Sequence, residues 1–296
     1  SGGYRRISGY TKWNSNIVPQ TSSSTETVLM VALFNSKVIA ARGTKIFEAG
    51  TSGSWSEIDT GRTNAGRYTF FRYNLAGTDF IIWADGANNA TKYDGTTVTD
   101  INASGAPANP KFVTGFKDHL FFAGMSSTRQ HLTFTAPLTD NDFQTSNGAG
   151  TIKVDSNITG LFPFRDALFI FCEERIFKLT GSTLSDFAVQ PVTREIGCLN
   201  GFTIQEFAGD IVFLGPDGLR TVAGTEKIGD VELGTISRPV QKRFQELTDV
   251  DEFTSLVIPD KTQYRIFFSN AATARASTEG IICVRRGEGY EFGDTL

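Results

Sequence analysis

The chain has 296 residues, with 28 Lys+Arg against 32 Asp+Glu, a formal net charge of −4, 40% hydrophobic and 20% charged residues. That balance excludes intrinsic disorder, which needs little hydrophobicity and much charge, and a polycation that coats nucleic acid through bulk charge. Its 25 Phe stand beside two His and three Cys, a composition for strands packed face to face rather than for metal or nucleophilic chemistry.

In chain order, apolar runs break at short polar turns and resume. Residues 28–34 break at 35–37 and resume at 38–41. The same happens at 68–73 and 80–83, at 111–116 and 120–123, and at 158–164 and 167–171. It recurs at 202–207 and 211–214, and at 253–258 and 264–268. Each pair reads as a hairpin, and a third strand follows at 45–48, 90–93, 131–134, 175–178, 219–222 and 281–284. A fourth is sometimes legible, as at 187–192. Hairpins recurring about every 40–50 residues are the signature of propeller blades. The predicted fold is therefore all-β, a β-propeller of about six three- or four-stranded blades forming one domain over 1–296. The second strand of each hairpin is apolar almost throughout, so it is expected to be buried on both faces between blades. Gly and Asp at the hairpin tips are expected to supply the turn conformations. A β-sandwich, or a pair of them, is the competing architecture, but it needs no six equivalent units.

One stretch breaks the pattern. Residues 237–247 place Val240, Phe244 and Leu247 on one helical face, with Ser237 as N-cap and Pro239 in the first turn. This predicts a short amphipathic helix near 238–247, a lid over one end of the propeller or a docking element for a partner. No apolar run approaches the roughly 20 residues of a membrane-spanning helix. Cys172, Cys198 and Cys283 are far apart and read as reduced core residues. The chain opens on Ser1-Gly2-Gly3-Tyr4 and stops just after an aromatic stretch at 289–292, which reads as a segment of a longer polypeptide.

Chemical motifs are sparse. His119 and His131 lack metal-ligand spacing and read as tip or strand-surface residues. No GxSxG, P-loop or GxGxxG occurs. The carboxylate pairs Asp140/Asp142, Glu173/Glu174 and Asp249/Asp251 read as solvated turn charge. Glycoside hydrolysis would need two of them held across a cleft. Asp140-Asn141-Asp142 lacks the rest of a calcium loop. No catalytic, cofactor-binding or metal residue is assigned. Basic residues cluster at Arg5 and Arg6, at Arg238, Lys242 and Arg243, and at Arg285-Arg286. The first two groups are the candidate inter-subunit or channel contacts.

Three stretches carry a family resemblance. Residues 2–10, Gly-Gly-Tyr-Arg-Arg-Ile-Ser-Gly-Tyr, resemble the opening of phage tail proteins. Residues 174–181, and the fifth unit from Arg194-Glu195-Ile196-Gly197-Cys198 to Gly215-Pro216-Asp217-Gly218-Leu219-Arg220, resemble the β-propeller of the tail nozzle, or DNA-stabilisation, proteins of short-tailed bacteriophages. The resemblance covers most of the chain. It implies a virion structural protein assembled in the host cytoplasm, six copies around the tail axis below the portal and adaptor rings. Such a ring extends the double-stranded DNA channel, helps retain and deliver the genome, and offers outer surfaces to fibres or spikes. The family has no catalytic residues to carry over. Two other classes stay open: a propeller that binds or cleaves carbohydrate, and a protein-interaction propeller unrelated to phages.

Overall fold

The structure is a computed structural model that describes residues 13, 14, 19, 26–64, 66–75, 77–223, 235–246, 250–269, 278–287 and 289–295. Six antiparallel sheets follow one another along the chain, each built from one contiguous stretch whose strands pair in sequence order. The first holds β1 (Val28–Phe34), β2 (Lys37–Arg42), β3 (Lys45–Ala49) and β4 (Ser56–Asp59). The second holds β5 (Thr69–Leu75), β6 (Thr78–Ala84), β7 (Thr91–Tyr93) and β8 (Val98–Asp100). The third holds β9 (Phe112–Phe116), β10 (His119–Ala123), β11 (His131–Phe134) and β12 (Gly150–Lys153). The fourth holds β13 (Ile158–Phe164), β14 (Ala167–Cys172), β15 (Ile176–Thr180) and β16 (Ala188–Thr193). The fifth has three described strands, β17 (Gln205–Phe207), β18 (Asp210–Gly215) and β19 (Gly218–Thr221). The sixth holds β20 (Thr254–Ile258), β21 (Gln263–Ser269), β22 (Thr278–Arg286) and β23 (Gly289–Thr295). The innermost strands of all six line one cavity, so the sheets are the blades of a six-bladed propeller.

The second strand of a blade shows why the sequence requires this arrangement. Successive side chains of a strand point to opposite faces, and here each face meets a different blade. In β6, Ile81 and Trp83 pack with blade one while Ile82 and Ala84 pack with blade three. In β10, Leu120 and Phe122 face blade two while Phe121 and Ala123 face blade four. In β14, Leu168 and Ile170 face blade three while Phe169 and Phe171 face blade five. In β18, Ile211 and Phe213 face blade four while Val212 and Leu214 face blade six. A strand sandwiched in this way is apolar at consecutive positions, as residues 81–84, 120–123, 168–171 and 211–214 are. Burying one such side chain contributes about 1.5–3 kcal/mol. The Phe excess is spent at these joints, where Phe121 lies 5.2 Å from Phe134 and Phe171 lies 5.3 Å from Phe213, ring to ring.

Five buried clusters join blades one to two, two to three, three to four, four to five and five to six. Among the described residues no cluster joins six to one. The strands on that side explain it: β21 alternates Tyr264, Ile266 and Phe268, which pack with blade five, with Gln263, Arg265 and Phe267. Among the described strands, none from one end of the chain completes the blade at the other.

Several expectations are corrected. Residues 202–207 are not one strand: a 3-10 turn over Gly201–Thr203, capped by Asn200 accepting from the Phe202 amide, leaves only Gln205–Phe207 extended. The positive φ of the inner hairpins falls on Lys117, Arg165 and Ala208 as well as on glycine. The helix is a 3-10 turn over Arg238–Val240 followed by α1 (Gln241–Gln245), with Leu247 outside the described residues. Ser237 does not cap it. Its hydroxyl accepts the Leu219 amide at 3.0 Å, while the Ile236 amide donates to the Leu219 carbonyl. Phe244 is buried and Val240 half-buried in the cluster between blades five and six, and α1 packs against β19, the outer described strand of blade five.

Candidate functional site

The connectors leading into the innermost strands converge at one end of the propeller. Thr69 Oγ1 donates to the Lys111 carbonyl at 2.8 Å. Asn200 Nδ2 donates to the carbonyls of Val250 at 2.6 Å and Phe253 at 3.1 Å. Arg67, just before β5 in blade two, reaches across the axis. Its Nη1 donates to the Phe253 carbonyl at 2.5 Å, and its guanidinium lies 4.7 Å from the Phe202 ring centroid. One side chain thus ties the entrance of blade two to those of blades five and six. Burial pulls the Arg67 pKa below its ordinary value, and Glu252 opposes that shift.

Below this mouth the innermost strands enclose a cavity of about 840 Å³. Its walls are mostly apolar, with Val28, Val31, Phe70, Leu161, Phe162 and Leu256 among the lining residues, and among the described residues Arg67 is the one charged group in the lining. Exposed apolar residues gather here. Among the described residues Val28, Val31, Phe70 and Leu256, all in the lining, are more than 40% exposed. Glycine lets the walls converge: a Cβ on Gly115 would overlap the Phe71 ring, and one on Gly160 the Ile204 side chain.

A second cavity, about 380 Å³, shares Phe112, Gly201 and Phe202 with the first and adds Lys111, Arg129, Glu173 and Asn200. Arg129 donates to Glu173 at 2.5 Å and Asn157 donates to the same carboxylate at 2.9 Å. The mouth is therefore basic and polar while the shaft is apolar. Among the described residues, Glu173 is the one carboxylate that lines the two cavities.

Arg5 and Arg6 fall outside the described residues. Arg238, Lys242 and Arg243 sit on the helical segment at the outer edge of blade five. Arg243 pairs with Glu279 of blade six and lies 6.0 Å from the Phe268 ring centroid. Lys242 is 89% exposed and stands 3.9 Å from Glu246. The structure brings none of these three to the axial cavity. Arg285 donates to the Tyr290 hydroxyl, and Arg286 pairs with Glu291.

The histidine reading is corrected for one of the two. His119 is 1% exposed, packed edge-on against Phe121, Phe134 and Phe187. Its Nδ1 lies 2.6 Å from the Thr135 carbonyl, so that nitrogen carries the proton, and Nε2 is buried without a partner. Sequence suggested a hairpin tip because His119 follows Lys117-Asp118. The tight turn instead places it at the first position of β10, inside the joint between blades three and four. The three cysteines are buried and unbridged, and burial pushes each thiol up to about 12. Asp140 pairs with Lys92, while Asp142 accepts from the Gln144 amide and Asn147, which lowers its pKa.

Arg67, Lys111 and Arg129 were not singled out from sequence. The available signal was a basic residue directly before the first aromatic of an innermost strand, Arg67-Tyr68 and Lys111-Phe112. It becomes meaningful only once the blades place those positions around one opening.

No protein-family model matches the chain, and neither does any curated protein. Solved structures do. The extracellular domain of the one-component system BT4673 from B. thetaiotaomicron is similar with a TM-score of 0.54 and 14% identity, over 81% of this chain and 31% of that one. The AfRom2 CNH domain is similar with a TM-score of 0.50 and 10% identity, over 95% of this chain and 98% of that one. The chain thus spans under a third of the first protein's length. Identity that low carries architecture and nothing finer: the chain folds as a β-propeller.

Proposed function

We propose that this chain is a structural, non-enzymatic component of a bacteriophage tail, the propeller of a nozzle protein. Copies assemble as a ring, six in number, on the tail axis. They extend the DNA channel, help retain and deliver the genome, and dock portal or adaptor proteins on one side and fibres or spikes on the other. The observation that carries this reading is the resemblance of residues 2–10, 174–181 and 194–220 to that family. The site chemistry is compatible with it. The thiols are held protonated by burial, the His119 proton is committed to a carbonyl, and among the described residues the axial cavities hold one carboxylate between them. Cryo-electron microscopy of particles containing the chain tests the proposal. A ring of propellers on the tail axis is the expected result, and placement outside any axial ring overturns it.

The polar cavity favours one second reading. Phe112 and Phe202 beside Arg129, Glu173 and Asn200 combine aromatic and polar groups suited to a sugar ring. That reading is carbohydrate binding. Glycan-array binding abolished by Glu173→Gln would favour it over assembly.

A further inference from the structure

We propose that Asn147 is a self-modifying site, converted to aspartate and isoaspartate by attack of its own backbone, while the same dipeptide at Asn200 is held unreactive. This goes beyond the tail reading and does not depend on it. Asn is followed by Gly twice in the chain, at Asn147-Gly148 and at Asn200-Gly201. Glycine on the carboxyl side favours the reaction, because no side chain then shields the attacking amide nitrogen. The sequence makes the two pairs equivalent, and the structure separates them.

Asn147 ends the 3-10 turn Thr145–Asn147, between β11 and β12. All three residues of the turn are exposed. Gln144 gives it no side-chain cap, and Gly148 leaves it at a φ of +97°. The Gly148 amide donates to the Thr145 carbonyl at 3.1 Å, and Asn147 Nδ2 donates to Asp142 at 2.7 Å. A short, uncapped, exposed turn opens at little cost, which frees both groups. Asn200 is in the opposite situation. It is 6% exposed. Its Nδ2 donates to the Val250 and Phe253 carbonyls, and its Oδ1 accepts the Phe202 amide. A Cβ on Gly201 would overlap the Thr159 carbonyl, so the backbone here is pressed against blade four. Reaction at Asn200 therefore needs the mouth of the propeller to come apart first.

In the step itself the Gly148 nitrogen, its proton taken by solvent hydroxide, bonds to Asn147 Cγ. The Cγ–Nδ2 bond breaks, and Nδ2 leaves as ammonia with a proton from water, closing a cyclic imide. Water then opens the ring. Addition at Cγ gives aspartate; addition at the backbone carbonyl carbon gives isoaspartate, in which the chain runs through the side chain. Either product sets a carboxylate where Asn147 had donated to Asp142, and replaces attraction by like-charge repulsion. Isoaspartate also lengthens the backbone between Phe143 and Ala149, which are buried on either side of the turn. Conversion therefore loosens the connector that leads into β12.

Incubation of the whole chain in warm, mildly alkaline heavy-oxygen water, followed by peptide mass mapping, tests this, since each conversion leaves the heavy oxygen at the reacted residue. In the folded chain residue 147 is expected to gain label at least about tenfold faster than residue 200, and in urea the two rates converge. The aged folded chain melts at a lower temperature, whereas Asn147→Gln keeps its melting temperature through the same incubation. The proposal is overturned if residue 200 gains label as fast as residue 147 in the folded chain. It is also overturned if residue 147 stays unlabelled in the folded chain while labelling in urea, or if aged Asn147→Gln loses as much melting temperature as the unsubstituted chain.

Discussion

Arg62 is the sharpest test of how this propeller is held together between blades one and two. The residue is 7% exposed, and its side chain donates to four side chains and a carbonyl: the Tyr68 hydroxyl at 3.1 Å, Asp59 at 3.0 Å, Thr91 at 3.0 Å, Asp85 at 3.5 Å and the Asn89 carbonyl at 3.4 Å. Burial alone would lower its pKa, but the neighbouring Tyr68 and Asp85 outweigh that and raise it. Burial raises the Tyr68 pKa to about 12, keeping its hydroxyl a neutral acceptor. Arg62→Met keeps the aliphatic bulk and removes the charge. It leaves Asp85, whose side chain is 1% exposed, without a cation. Breaking a buried pair by deleting one partner costs about 3–5 kcal/mol. Asp85 keeps the amides of Ala87 and Asn88 and the Asn88 side chain, so the lower end, about 3 kcal/mol, is expected. Urea unfolding followed through the fluorescence of Trp83, which is fully buried in blade two, reads the change. Adding Asp85→Asn removes the stranded charge while its oxygen still accepts both amides. The double variant should therefore be more stable than the sum of the single losses by about 1 kcal/mol or more. A loss below about 1 kcal/mol for Arg62→Met, or strict additivity, would refute the reasoning.

Other consequences are as direct. Phe121→Ala empties the centre of the ring cluster with Phe116, Phe134 and Phe187 and should cost about 3–5 kcal/mol in the same assay; a loss near zero would mean the joint between blades three and four collapses to fill the space. Burial works against Asp217, yet Arg220 at 2.7 Å and Thr235 at 2.6 Å outweigh it and lower its pKa. Its contribution is therefore present above the ordinary carboxylate value, about pH 4, and is lost as pH falls through the lower folded value. Asp217→Asn should flatten the fall in urea midpoint below about pH 4, and an unchanged acid limb counts against this assignment. A thiol reagent at pH 8 should label no cysteine in the folded chain and all three in urea, because all three are buried; rapid native labelling would place a thiol at the surface. Ala208 holds a φ of +55° in the hairpin between β17 and β18, so Ala208→Gly should stabilise by about 1 kcal/mol, read as a higher melting temperature.

The sequence determined the blades because their physics is local. A tight turn between two apolar runs pairs adjacent strands. A second strand apolar at consecutive positions, such as Leu120-Phe121-Phe122-Ala123, has to be covered on both faces, and neighbouring blades are what cover it. What only the tertiary structure decided are the contacts across the ring. Arg67 and Phe253 are 186 residues apart, and no periodicity or motif relates them; they meet because closing six blades brings every connector to one opening. The same closure turned Val31, Phe70 and Leu256 from ordinary strand residues into the wall of one cavity. It also drew His119 into an aromatic joint. Strand pattern depends on neighbours in sequence, whereas an axial site depends on how six such units share an axis.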